Sequence, residues 1–174
     1  MQYISKQTLA GLPLVHVAMS RIEQGHFVRG IAKGWIAIGD VSFGVLLSVG
    51  GAAFGGITIG GVGLGVISLA GLAVGGMAVG GLAIGVLAAG GGAIGWEAAF
   101  GGLAIAREYA LGGLALAQHA NDQAARSYLS GNGFFTTADT IMDYSYLFPI
   151  LALLPVLLVL FKRIKQSHSS SKSV

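Results

Sequence analysis

Between Trp35 and Ala117 one five-residue unit recurs about sixteen times, and any fold for this chain must accommodate it. The unit reads apolar, small, apolar, Gly, variable. Its second apolar position falls at Ile38, Phe43, Val49, Phe54, Ile59, Leu64, Leu69, Val74, Val79 and Ile84, and continues to Leu116. Steps are five residues long, with a step of six after Phe43, Ile94 and Ile105. The preceding residue is small, as in Ala37, Ser42, Ser48, Ala53, Thr58, Gly63 and Ser68. A fixed period over this length indicates stacked copies of one structural unit.

A helix explains the pattern poorly. Five residues advance about 500° around a helix, so successive glycines would form no stripe. The glycine motif that brings helices together is spaced by four. A three-residue strand followed by a glycine corner fits better. In Leu72-Ala73-Val74, Leu72 and Val74 share one face and Ala73 takes the other. Gly75 and Gly76 then turn the chain, through backbone angles that other residues avoid. The same reading makes corners of Gly39, Gly44, Gly55, Gly60, Gly80, Gly81, Gly85 and Gly95. A longer period overlies the first. The residue after the corner glycine is usually Gly, but it is Val45, Val66 and Val86, with a matching break at Arg107. That spacing predicts four pentads, about twenty residues, per coil. The expected fold is mainly β: a Gly-rich pentad β-solenoid. The alternative is an all-α, Gly-rich multi-span membrane protein with three helices between Trp35 and Ala106.

The period resembles that of the pentapeptide-repeat proteins, over roughly Trp35 to Ala117. That resemblance implies a square, right-handed β-helix of about twenty residues per coil. The order of the unit departs from that family's, because large residues here sit on both sides of the small one. The run Gly11-Leu12-Pro13-Leu14-Val15-His16, with units such as Leu82-Ala83-Ile84-Gly85, also looks like a group of uncharacterised bacterial Ala-Ile-Gly-Gly repeat membrane proteins.

Composition then decides where such a fold would sit. The chain is 54% hydrophobic and 10% charged, with 30 glycines, and no charge occurs from Val41 to Trp96. Typical globular chains are about 25% charged. A water-facing solenoid carries polar residues outside, so this one is expected to meet lipid, copies of itself or another membrane protein. The small Ala, Ser, Thr and Gly positions are read as its flat outer faces. No cysteine is present, which removes disulfides and thiolate metal sites. The formal charge of +3 includes no basic stripe, so no nucleic-acid partner is expected.

Along the chain, residues 1–34 read as an N-terminal cap, with 12–34 a strand or hairpin over the first coil. Leu9 to Met19 is apolar, but His16, Pro13 and a poor cleavage site argue against a removed leader. Residues 35–117 are the solenoid and 118–143 a polar helical connector. Asn121 is a candidate N-cap, and Thr136 or Thr137 a second. Ser130-Gly131-Asn132-Gly133 marks a turn. Residues 144–161 read as a transmembrane helix and 162–174 as a basic, Ser-rich tail. Tyr144, Tyr146, Trp96, Lys162, Arg163 and Lys165 suit membrane interfaces. The basic flank places the C-terminus in the cytoplasm of a bacterial cell membrane. Four to five coils give about 19–24 Å, slightly thin against about 30 Å of hydrocarbon.

No catalytic, cofactor-binding or metal-binding residues are assigned. Gly61-Val62-Gly63-Leu64-Gly65 lacks the Lys-Ser/Thr of a phosphate loop. His16, His26, His119 and His168 show no metal spacing within an element. Glu97, and the pair Arg107-Glu108, occupy corner insertions and read as interfacial or solvated charges. The expected role is a non-enzymatic, membrane-embedded or membrane-anchored structural or assembly module acting through apolar repeat faces. The alternative is a channel, permease or pore-forming oligomer. Against it, residues 41–96 offer only Ser42, Ser48, Thr58 and Ser68 as polar lining.

Overall fold

The computed structural model describes residues 2–5, 7–23 and 26–144. The chain divides into two units, Met1–Thr136 and Thr137–Val174, each taken by itself. The elements are β1 (Gln2–Ile4), β2 (Thr8–Leu9), β3 (Leu12–Pro13), β4 (Val15–Ala18), β5 (Arg21–Glu23), β6 (His26–Val28), β7 (Ile31–Ala106), β8 (Tyr109–Leu116), β9 (His119–Ala120), α1 (Gln123–Gly131) and α2 (Gly133–Asp143). The fold is mainly β. The principal sheet has the order β1-β4-β7-β8-β9, and two short hairpins, β2-β3 and β5-β6, stand beside it.

β7 runs for 76 residues. Drawn straight it would span about 250 Å, at roughly 3.3 Å per residue. Instead it turns repeatedly and lies along itself. Gly60 sits over Gly50, Gly75 over Gly65 and Gly90 over Gly80, each ten residues on. Gly50 sits over Gly39, Gly55 over Gly44 and Gly101 over Gly90, each eleven residues on. β8 continues the stack in parallel register, with Ala99↔Ala110 and Ala104↔Ala115. β9 adds Ala110↔Ala120. Side chains keep the same offset. Thr58 Oγ1 donates to Ser68 Oγ at 2.9 Å, and the rings of Phe43 and Phe54 stack at 5.0 Å.

Each layer therefore holds two pentads, not four, and the expectation of about twenty residues per coil is corrected to ten or eleven. The twenty-residue period has a different origin. One corner reads Val45, Gly56, Val66, Gly76, Val86 in successive layers, so Val and Gly alternate and the sequence repeats every second layer.

The small residue of each pentad points inward. One column runs Ser42, Ala53, Gly63, Ala73, Ala83, Ala93, Ala104; the facing column runs Ala37, Ser48, Thr58, Ser68, Ala78, Ala88, Ala99, Ala110, all of them buried. The columns touch where Ser48 Oγ donates to Ser42 Oγ at 2.6 Å. A Cβ on Gly63 would lie only 2.7 Å from Thr58 Oγ1, so the interior is full. With two strands so close, only groups of about one to three heavy atoms fit between them at normal packing density. The small residues are thus the core, and their reading as outer faces is corrected. The branched residues take the outside.

Both ends of the sheet are covered. β4 pairs in parallel with the start of β7, placing His16 beside Ala37 in the core column. His16 Nδ1 accepts from the Lys33 N–H at 2.9 Å, and Trp35 Nε1 donates to the Leu9 carbonyl at 2.9 Å. β1 then pairs antiparallel with β4. At the other end Asn121, at φ 56, accepts from the Gly112 N–H and donates to the Gly112 carbonyl, both at 2.9 Å. One side-chain amide thereby supplies the two partners that a further strand would give. Asn121 being engaged this way, the N-cap of α1 falls to Asp122, one residue later than expected, whose Oδ1 accepts from the Ala125 N–H at 2.8 Å. α1 buries Ala125 and Leu129 and packs on β8. α2 starts at Gly133, ahead of the expected Thr136 or Thr137 cap. Asn132 Oδ1 accepts from the Phe134 N–H at 3.0 Å and so starts it earlier.

Among the described residues no helix is long and apolar enough to cross a membrane, a statement that does not concern strands. The expected helix at 144–161 lies outside the described residues except for Tyr144, which is in a turn and exposed.

Candidate functional site

Two features of the surface carry chemistry: its outward apolar side chains and one polar stack of corners. The first follows directly from the pentad. Because the small residue points in, its two neighbours point out. Val62 and Leu64 flank Gly63, Leu82 and Ile84 flank Ala83, and Ile57 and Ile59 flank Thr58; all six are exposed. The first four stand on one broad face and the last two on the other. Val45, Leu46, Val66 and Val86 project from the corner edge and are also exposed. The opposite edge is almost bare backbone, with Gly51, Gly61, Gly71, Gly81 and Gly91 exposed in successive layers.

Most corner glycines owe their identity to the approach of the layer beneath, and Gly44 and Gly95 to the carbonyls of Leu47 and Ala98 in their own layer. A Cβ on Gly39, Gly44, Gly55, Gly60, Gly75, Gly80, Gly85 or Gly95 would overlap a backbone carbonyl oxygen. Gly81 is less constrained, at 3.0 Å from Gly71 O, and Gly76 least, at 3.1 Å from Val66 O. Among these only Gly55 has a positive φ, 155, so the expectation that unusual backbone angles require these glycines is corrected.

The six-residue steps after Ile94 and Ile105 widen the corner by one residue and bring scattered polar groups together. Trp96-Glu97, Arg107-Glu108 and Gln118-His119 stand one above another. Glu108 N–H donates to Glu97 O at 3.3 Å, Gln118 N–H to Arg107 O at 3.2 Å, and His119 N–H to Glu108 O at 2.8 Å. The Arg107 guanidinium lies over the Trp96 ring, 5.6 Å from its centroid. Tyr109 is sandwiched between Tyr128 at 4.2 Å and His119 at 5.5 Å. The Tyr128 hydroxyl donates to the Glu97 carboxylate. That bond, with burial and the Glu97 charge behind it, pushes the Tyr128 pKa above its ordinary value. His119 Nδ1 lies 2.8 Å from Asp122 Oδ2. The Ala125 N–H, and then His119, hold the Asp122 carboxyl below the usual range.

This cluster fastens α1 to the last layers. Among the described residues no group of three or more His, Cys, Asp or Glu stands ready for a metal ion. Glu97 and Arg107-Glu108 were legible as corner insertions. Their meeting with Tyr109, Tyr128 and His119 was not, because the ten-residue layer that superimposes them could not be counted from the sequence. At the N-terminal end Lys33 lies over the Phe43 ring at 5.9 Å. Of the expected interface residues, Trp96 is 68% exposed and Tyr144 is exposed, while Tyr146, Lys162, Arg163 and Lys165 lie outside the described residues. No family model, curated protein or solved structure matches the chain.

Proposed function

We propose that the repeat is a narrow β-solenoid of ten to eleven residues per coil, and that it serves as a non-enzymatic structural or assembly module whose apolar outer surface lies in a membrane. One observation carries this reading. The repeat buries the small alanines and serines of its core columns fully and leaves its leucines, isoleucines and valines exposed or half-buried, with Val79 the exception. Folding in water is driven by burying the larger apolar groups. A chain that leaves them out over both broad faces and one edge is built for surroundings that are themselves apolar. The uncharged run from Val41 to Trp96 supports the same conclusion. A conduit through one copy fits less well, because Ser42, Ser48, Thr58 and Ser68 are fully buried and bond to one another or to backbone across a filled interior. The reading places the protein in a bacterial cell membrane, with lipid as its partner.

The absence of cysteine allows a direct test. Leu64→Cys in the full chain, labelled with an environment-sensitive fluorophore and reconstituted in phospholipid vesicles, should show blue-shifted emission that brominated acyl chains quench. Emission typical of water, untouched by bromolipid, would overturn the reading.

A further inference from the structure

We propose that the repeat crosses the bilayer, its long axis along the membrane normal; this rests on the lipid-facing reading above and adds the orientation. The length decides it. Ser42, Ala53, Gly63, Ala73, Ala83 and Ala93 occupy successive layers of one core column, so five layer steps separate the layer of Phe43 from that of Trp96. At about 4.8 Å per step this is about 24 Å. One layer beyond each of these aromatics stands the basic residue that covers it: Lys33 over Phe43 and Arg107 over Trp96. Those two cations are seven steps, about 34 Å, apart. The hydrocarbon core of a bilayer is about 30 Å thick. It falls between the aromatic pair and the basic pair, the order in which membrane proteins place aromatic belts and snorkelling cations at an interface.

Two more observations agree. The β-structure is continuous from Ile31 to Ala106, through the whole of the uncharged band, and the layers stay joined past it, with Glu108 N–H donating to Glu97 O and His119 N–H to Glu108 O. A backbone crossing lipid has to meet its hydrogen bonds internally, and this layered strand does so across the band. The outward apolar residues also occupy both broad faces. A repeat lying flat on a membrane would immerse one face and leave the other in water; a repeat standing upright immerses both.

The test uses the full chain with one cysteine at a time, Gln7→Cys or Gln118→Cys. Both positions are exposed, and they lie beyond opposite borders: the Gln7 carbonyl accepts from Leu14, whose own carbonyl accepts from Ile36, and the Gln118 N–H donates to the Arg107 carbonyl. A membrane-impermeant maleimide is applied to intact cells and to permeabilised cells. For a crossing repeat, one variant labels in intact cells and the other only after permeabilisation. Both variants labelling under the same condition would overturn the crossing. Polarised infrared of the unsubstituted chain in oriented bilayers gives an independent readout. Amide carbonyls directed along the membrane normal support the upright repeat, and carbonyls in the membrane plane overturn it. Same-side labelling together with lipid quenching at Leu64→Cys removes only the orientation, whereas loss of quenching removes the lipid-facing reading itself.

Discussion

At single positions the chain is governed by how closely each layer sits on the one below. Gly90 and Gly76 are both corner glycines, yet they answer to different limits. A Cβ on Gly90 would overlap the Gly80 carbonyl, while one on Gly76 would lie 3.1 Å from Val66 O. Val66 and Val86 hold the same corner in the layers on either side of Gly76, so a valine there has precedent in the fold. Gly90→Val is expected to cost about 1–3 kcal/mol or more, as overpacking does, and Gly76→Val clearly less. Chemical denaturation of the two variants checks this, and equal losses would show that layer spacing is not the constraint. The sequence marks Gly76 as a corner and no more. It shows that glycine is required, but not whether a backbone angle or a neighbouring carbonyl requires it. The interior offers a second test. Thr58→Val keeps the shape and removes the donor to Ser68 Oγ, leaving a buried hydroxyl short of a partner. A loss of about 1–3 kcal/mol is expected, and adding Ser68→Ala should recover part of it in a double-mutant cycle.

The elements differ in how much of them a sequence can reveal. The three-residue strands of the repeat are local, so Leu72-Ala73-Val74 already displays its alternation. Which face turns inward is not local. It depends on the gap between facing strands, and that gap depends on the number of pentads per layer. The alternation of Val66 with Gly76 doubled the apparent layer and hid the narrow core. The C-terminal cap shows a similar limit. Asn121 has the right chemistry for an N-cap, but its side chain closes the sheet edge at Gly112, and Asp122 caps α1 instead. The Tyr128–Glu97 bond that holds α1 in place gives this element a pH response. The Tyr128 pKa is raised in the folded state, so its contribution is complete below about pH 10, the unfolded value, and is lost as pH rises through the higher folded value. Asp122 works in the opposite sense. Its folded pKa is lowered, so the cap is fully effective above about pH 4 and is lost as pH falls through the lower folded value. Tyrosine absorbance during alkaline titration should report the late ionisation of Tyr128. Tyr128→Phe should abolish that phase; its persistence would place the shifted tyrosine elsewhere.

For the molecule as a whole, the inverted distribution of size makes the surroundings part of the fold. A core of alanine and serine buries little apolar area per residue, and the larger groups contribute only where something apolar covers them. Position along the axis should then decide the effect of a charge. Leu64 lies mid-way along the uncharged band and Leu114 beyond the Arg107 border; both are more than half exposed. In water the two sites are equivalent, and Leu→Lys at either would be close to neutral, as exposed substitutions generally are. In an upright, lipid-immersed repeat they are not. A lysine facing lipid near the bilayer midplane costs about 2–4 kcal/mol and one near the interface about 0–1. Leu64→Lys is therefore expected to lower the membrane-inserted fraction or the stability of the reconstituted chain by that larger amount, with Leu114→Lys nearly silent. Reconstitution yield and denaturation in vesicles measure both variants side by side. A repeat lying flat in the interface would give the two variants similar, small losses. A difference set by distance along the axis requires the apolar surface to be immersed to a depth, which follows from ten-residue layers and not from twenty.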